Sequence, residues 1–177
     1  MVKRTDADGA DHTQIQGWLR DLGLALGFDV WIASNDRGRP FEGGRLADGC
    51  LEELPPALAG QPGCEAVPLI DILWLERGGP LVAAAFEVEH STSIYSGIVR
   101  LLDLALGAPG QVTTGLFLVA PDEREPEVRT QLSRPAFARV RDLAVRYLPY
   151  SELEQHRGAM ARFGAGLKAI QAVSRVL

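Results

Sequence analysis

Two apolar runs, PLIDILWLE at residues 68–76 and LVAAAFEVE at residues 81–89, flank the tetrapeptide Arg77-Gly78-Gly79-Pro80. Runs of this length and composition, bounded by Gly and Pro, read as two strands joined by a hairpin turn. Three acids interrupt them: Asp71 in the first, Glu87 and Glu89 in the second. Strand side chains alternate faces, so Glu87 and Glu89 point the same way. If the strands pair around Gly78-Gly79, Asp71 falls within one or two residue steps of the position opposite Glu87. Three carboxylates then share one edge of a sheet.

Carboxylates that close repel one another, and burying them is costly. A hard divalent cation offsets both effects, because Mg2+ takes oxygen ligands and keeps several waters. Water bound to such an ion is a stronger acid than bulk water, and the ion neutralises charge on a phosphate. Asp71, Glu87 and Glu89 are therefore the candidate catalytic and metal-ligating residues, with Mg2+ as the expected ion and Mn2+ as a substitute. The same spacing also suits a half-exposed strand, with the two glutamates facing solvent between Phe86 and Val88.

The remaining pattern places this hairpin in a longer succession. Residues 1–11 read as a flexible leader. Ile15, Trp18, Leu19, Leu22 and Leu26 recur at helical spacing up to Gly27. Residues 28–33 alternate as a strand. Residues 34–67 are rich in Gly and Pro and form a long connection, with one short helix expected around 46–54. After the hairpin, Ser91 or Thr92 caps a helix through Ile94, Ile98, Leu101, Leu102 and Ala105. A buried strand over 114–120, a helix over 123–132 and a strand over 144–148 follow. Residues 151–177 read as mostly helix with Leu153, Met160, Phe163, Leu167, Ile170 and Val173 on one side, packing on the domain's own sheet or on a partner.

Composition removes several classes. The 177 residues suit one domain, and 46% hydrophobic with 23% charged residues is a globular balance. No apolar run approaches the roughly 20 residues of a membrane span, and no secretory signal precedes the first helix, so a cytoplasmic protein is expected. Cys50 and Cys64 cannot build a disulfide framework or a four-ligand zinc site, and read as free thiols. A net charge of -5 excludes a broad basic sheath on nucleic acid but leaves room for a local cationic groove. No HExxH, GxSxG, P-loop or dinucleotide fingerprint is present, so no organic cofactor is expected.

The segment LIDILWLERGGPLVAAAFEVEHSTSIYSGIVRLLDL, with the flanking stretches DVWIASNDRGR and LFLVAPDEREPEVRTQLSRPAF, resembles the PD-(D/E)xK nuclease superfamily over residues 12–150. The resemblance implies an α/β fold of restriction-endonuclease-like type, with three layers, a mixed central sheet flanked by helices and an α-β-β-β-α-β core. Asp71 matches the first acid of the superfamily motif and Glu87 the second. Glu89 stands at the lysine position, a replacement found in some type II restriction enzymes. Pro68 lies three residues before Asp71 rather than next to it. Gln14 and Gln16, in the first helix, match the region where an additional acid often stands; amides bind metal poorly, and Gln14 receives only a supporting role. The implied activity is that of a metal-dependent endonuclease on DNA, duplex favoured, in restriction or defence. A homodimer would supply two sites for two strands. The second reading is a non-catalytic module that keeps the fold and binds nucleic acid or a protein partner.

Further residues follow from position. Ser91 and Thr92 sit where a helix N-terminus can receive a phosphate. Tyr95 and Arg100 lie on the same helix, and Arg100 either contacts phosphate or neutralises the acids. Arg37 and Arg39 follow the first strand, placed for a nucleic-acid groove or in a solvated turn. His90 adjoins Glu89 in a supporting role, although alternation turns it to the other face. His12 and His156 read as structural or solvated. Arg134, Arg139, Arg141 and Arg146 read as a surface stripe.

Overall fold

The computed structural model describes residues 6–177 apart from positions 61, 109 and 111. The elements are α1 (Asp6–Ala25), β1 (Asp29–Ile32), a small hairpin of β2 (Pro40–Phe41) and β3 (Gly44–Arg45), β4 (Ile72–Leu75), β5 (Val82–Val88), α2 (Ile94–Gly107), β6 (Val112–Ala120), α3 (Glu125–Leu132), β7 (Val145–Pro149), α4 (Tyr150–Phe163) and α5 (Lys168–Val173). The five long strands form one mixed sheet in the order β1-β4-β5-β6-β7. The first three pair antiparallel, and β5, β6 and β7 run parallel. Helices cover both faces, giving the three-layer α/β architecture of the restriction-endonuclease-like type.

Register makes the site. Ile72 pairs with Phe86 in the β4–β5 ladder, so Asp71 and Glu87 stand opposite each other one step beyond it. Gly78 (φ 71°) turns the hairpin in the left-handed region that favours glycine. On one face Trp74 meets Phe86 at a tilt, Phe86 stacks on Phe117, and all three pack with Ile15, Leu19 and Leu22 of α1 and with Leu153, Met160 and Ile170 of the C-terminal helices. On the other, Leu101 and Leu104 of α2 cover Leu73, Leu75 and Ala85.

α1 lies close to the sheet and to the β2–β3 hairpin because one glycine faces each. A Cβ at Gly23 would stand 2.4 Å from the Trp74 indole nitrogen, and one at Gly17 would stand 2.1 Å from the Phe41 ring. The Trp74 indole N–H donates to the Leu19 carbonyl at 3.0 Å, joining α1 to the strand that carries Asp71.

Several expectations are corrected. α1 begins at Asp6, within the stretch expected as a leader. No helix forms over 46–54; Gly49 (φ 80°) and the paired prolines Pro55 and Pro56 keep that stretch in turns, which still bury Leu46, Leu54 and Leu58. Ser93, not Ser91 or Thr92, caps α2 by accepting from the Ser96 N–H. The C-terminal segment breaks at Gly164 into two helices that pack on the domain's own core, and Phe163 is 77% exposed rather than on the buried side. Arg134 stacks on Tyr95, and Arg146 binds Ser174 and the Gln171 carbonyl, so neither belongs to a free stripe; the side chains of Arg139 and Arg141 lie outside the described residues. Cys50 and Cys64 are free thiols. Among the described residues no helix is long and apolar enough to cross a membrane.

Candidate active site

Asp71 sits just before β4, Glu87 is the penultimate residue of β5, and Glu89 lies one residue past the strand end. All three are buried, Glu87 completely. They divide between two sets of partners. Arg100 of α2 donates to both oxygens of Glu87, Nε to Oε1 at 2.9 Å and Nη2 to Oε2 at 2.6 Å, and reaches Glu89 Oε1 at 3.3 Å. Arg100 thus stands against the two glutamates. Thr92 donates its hydroxyl to Glu89 Oε2.

Asp71 turns toward α1 instead. Its Oδ2 accepts the Val88 N–H at 2.7 Å and lies 3.4 Å from His12 Nε2; its Oδ1 lies 3.3 Å from the Gln16 amide nitrogen. That amide also reaches Asp36 Oδ2 at 2.9 Å, while Arg39 holds Asp36 Oδ1 at 2.7 Å. One ligand atom from each of His12, Asp36 and Asp71 lies within 4.8 Å of the others. His12, Gln16 and Asp36 are each at most 1% exposed. The donor set of two carboxylates, an imidazole and an amide suits a divalent cation.

The electrostatics follow from burial. Burial pushes Glu87 well above the usual carboxylate range and the Asp71 charge adds to this, while Arg100 opposes it. The bidentate geometry is that of an ionised pair, since a guanidinium only donates. Arg100 is held charged chiefly by its bonds to Glu87. Burial raises Glu89 to about 7, against the Thr92 bond and the Arg100 charge.

A cavity of about 420 Å³ opens over these groups, lined by Asn35, Asp36, Leu69, Asp71, Glu89, Thr92, Ser93, Ser96 and Arg100. Glu87 is sealed behind Arg100 and does not reach it.

The family model of the Type II restriction enzyme NmeDI C-terminal domain matches residues 2–170. The chain belongs to this family. It is 36% identical over 149 residues to Type II restriction enzyme NmeDI of Neisseria meningitidis serogroup C, an alignment covering 81% of this chain and 41% of the relative. The chain thus spans about two fifths of that curated relative's length. No solved structure matches it.

The other expected residues fall as follows. Gln14 is exposed on α1, and Gln16 takes the inward position. His12 is not solvated but buried against Asp71. His90 stacks on Tyr150 and faces Asp11, away from Glu89. Ser91 is exposed, while Thr92 lines the cavity. Tyr95 turns to Phe137 and Arg134, on the face of α2 away from Ser93, Ser96 and Arg100. Arg37 is spent on the Leu51 and Ile32 carbonyls and on the Trp31 ring, fixing the loop rather than the groove. His156 pairs with Glu152.

Two further groups escaped sequence reasoning. Asp36, in the turn after β1 that carries Arg37 and Arg39, is 1% exposed. Arg124 donates to the carbonyls of Glu89, His90 and Thr92 at 2.9–3.0 Å, pinning the turn between β5 and α2. His12 and Gln16 did leave a signal: they lie four residues apart, on one face of a helix.

Proposed function

We propose that this chain is a metal-dependent endonuclease domain of the PD-(D/E)xK type, hydrolysing phosphodiester bonds in DNA, duplex favoured, in a restriction or defence role. The observation that carries the reading is the placing of two buried carboxylates, Asp71 and Glu89, on the wall of one cavity beside the Arg100 guanidinium. Buried acids cost stability, and Glu89, a buried carboxyl in a cleft with its pKa raised to about 7, marks a candidate for a working site. Membership of the NmeDI family supports DNA as the substrate class.

Asp71 and Glu89 would hold Mg2+ from the cavity wall, with Mn2+ as a substitute, and Glu87 would join them once Arg100 gives up its carboxylate. When bound, such an ion supplies a water of lowered pKa and neutralises charge on the phosphate. Arg100 fixes the Glu87 carboxylate and presents its remaining donor capacity to the cavity, where a phosphate oxygen can accept it. Glu89 stands at the motif's lysine position with a carboxyl near neutrality, so it can take a proton at Oε1 while Thr92 holds Oε2. Ser93 and Ser96 line the same wall and offer hydroxyls to the sugar-phosphate chain. Two copies of the chain would serve the two strands of a duplex.

One observation favours a second reading. Both Glu87 oxygens are taken by Arg100, as in a structural pair, which suits a non-catalytic module binding nucleic acid or a protein. Plasmid and single-stranded DNA, incubated with Mg2+ or Mn2+ and either wild type or Glu87→Ala, separate the two. The nuclease reading expects cutting by wild type and its loss in the variant. Equal cutting by both removes the assigned site, and no cutting by wild type leaves the binding module.

A further inference from the structure

We propose that His12, Gln16, Asp36 and Asp71 form an inner cation site at the floor of the cavity, distinct from the assembly of Asp71 with Glu87 and Glu89. It takes a divalent cation that accepts an imidazole nitrogen together with carboxylate oxygens, and Mn2+ is the probe. The inference goes beyond the nuclease reading and does not require cleavage.

The four side chains come from three segments: two from α1, one from the loop after β1 and one from the lead-in to β4. Their facing atoms are close. His12 Nε2 lies 3.4 Å from Asp71 Oδ2, and the Gln16 amide spans Asp36 Oδ2 and Asp71 Oδ1 at 2.9 and 3.3 Å. A positive donor end thus already stands between two carboxylates, where a cation would stand.

A second observation points to a ligand. Gln16 is completely buried, and its Oε1 has no hydrogen-bond partner; His12 is 1% exposed, and its Nδ1 has none. Native cores satisfy such atoms, so a closed structural network would not leave two of them in one cluster. The amide oxygen and nitrogen of Gln16 are exchangeable by a half-turn. With a cation between Asp36 and Asp71, that half-turn brings Oε1 in as a fourth donor and ends its isolation. Arg39 neutralises one oxygen of Asp36 and leaves Oδ2 facing inward, so the site keeps a net negative balance for a dication.

Access and selectivity follow. Asp36 and Asp71 line the open cavity, which gives an entry path. An imidazole among the donors favours Mn2+ and its transition-metal neighbours over Ca2+, which takes oxygen alone.

The test is Mn2+ binding without DNA. The electron paramagnetic resonance signal of free Mn2+ is followed on titration into wild type, His12→Ala and Asp36→Asn, each first shown by circular dichroism to be folded. Wild type is expected to bind Mn2+ and to retain it against an equal concentration of Ca2+. Each variant is expected to bind at least about tenfold more weakly. Should Asp36→Asn not fold, His12→Ala decides. Binding equal to wild type in the folded variants overturns the site, as does absence of Mn2+ binding by wild type. The plasmid assay with Glu87→Ala judges the nuclease reading separately: Glu87 lies outside the inner set, so Glu87→Ala is expected to keep the Mn2+ that His12→Ala loses.

Discussion

Arg100 grips Glu87 through two parallel hydrogen bonds, at 2.9 and 2.6 Å, on a carboxylate with no exposed surface. The guanidinium itself is 31% exposed, so the pair joins the core to the cavity wall. Removing one partner of a buried pair leaves the other charged and unpaired, which costs more than the pair gains by existing.

Arg100→Ala is therefore expected to lower stability by about 3 kcal/mol, read from urea unfolding midpoints. Arg100→Ala combined with Glu87→Gln is expected to recover part of that loss, because the stranded charge is gone. A double variant as unstable as the single one would show that packing, and not charge, makes the contribution.

Acidity at Glu89 gives a pH dependence. Its carboxyl titrates at about 7 in the folded chain against an ordinary 4.5. Between those values the folded form binds more protons than the unfolded form, so stability falls as pH rises through that window. Urea midpoints of the metal-free protein should decline across this window, and Glu89→Gln should decline less steeply. An unchanged slope in the variant would place the pH dependence elsewhere.

Gly97 is the point where α2 passes the acids. A Cβ there would meet Glu89 Oε1 at 2.7 Å and Leu118 Cδ1 at 3.2 Å. Gly97→Ala must push the Glu89 carboxylate aside, while gaining about 1 kcal/mol of helix propensity. Cleavage is expected to fall by about 100-fold, since small misplacements of reacting groups carry large kinetic costs. The unfolding midpoint should move little. Full activity in this variant would remove Glu89 from the reaction.

The sheet and the opposition of Asp71 to Glu87 were legible because strand alternation and one Gly-Gly turn determine them. The α-β-β-β-α-β succession followed from the same periodicities. Partner choice was not legible. Asp71 could be placed opposite Glu87 by counting, but its turning away to His12 and Gln16 depends on how α1 crosses the sheet. Helix phase also decided Gln16 over Gln14: two residues apart on a helix face nearly opposite ways, and the choice needs the core face as reference. Asp36 was least legible of all, because a loop's burial is set by what packs over it. Ser93 as the cap, one residue beyond the hydroxyls proposed, is the ordinary uncertainty of helix ends.

The seat left vacant by glycine at position 23 has a larger reach than its size suggests. With the Trp74 indole filling it, the first helix and the fourth strand share a single spacer, much as two rails share one tie. The height at which the imidazole and amide hang over the aspartates is set there, two turns and more along the helix from either group. Any residue larger than glycine at that tie would lift one half of the acid floor from the other without altering a single ligand.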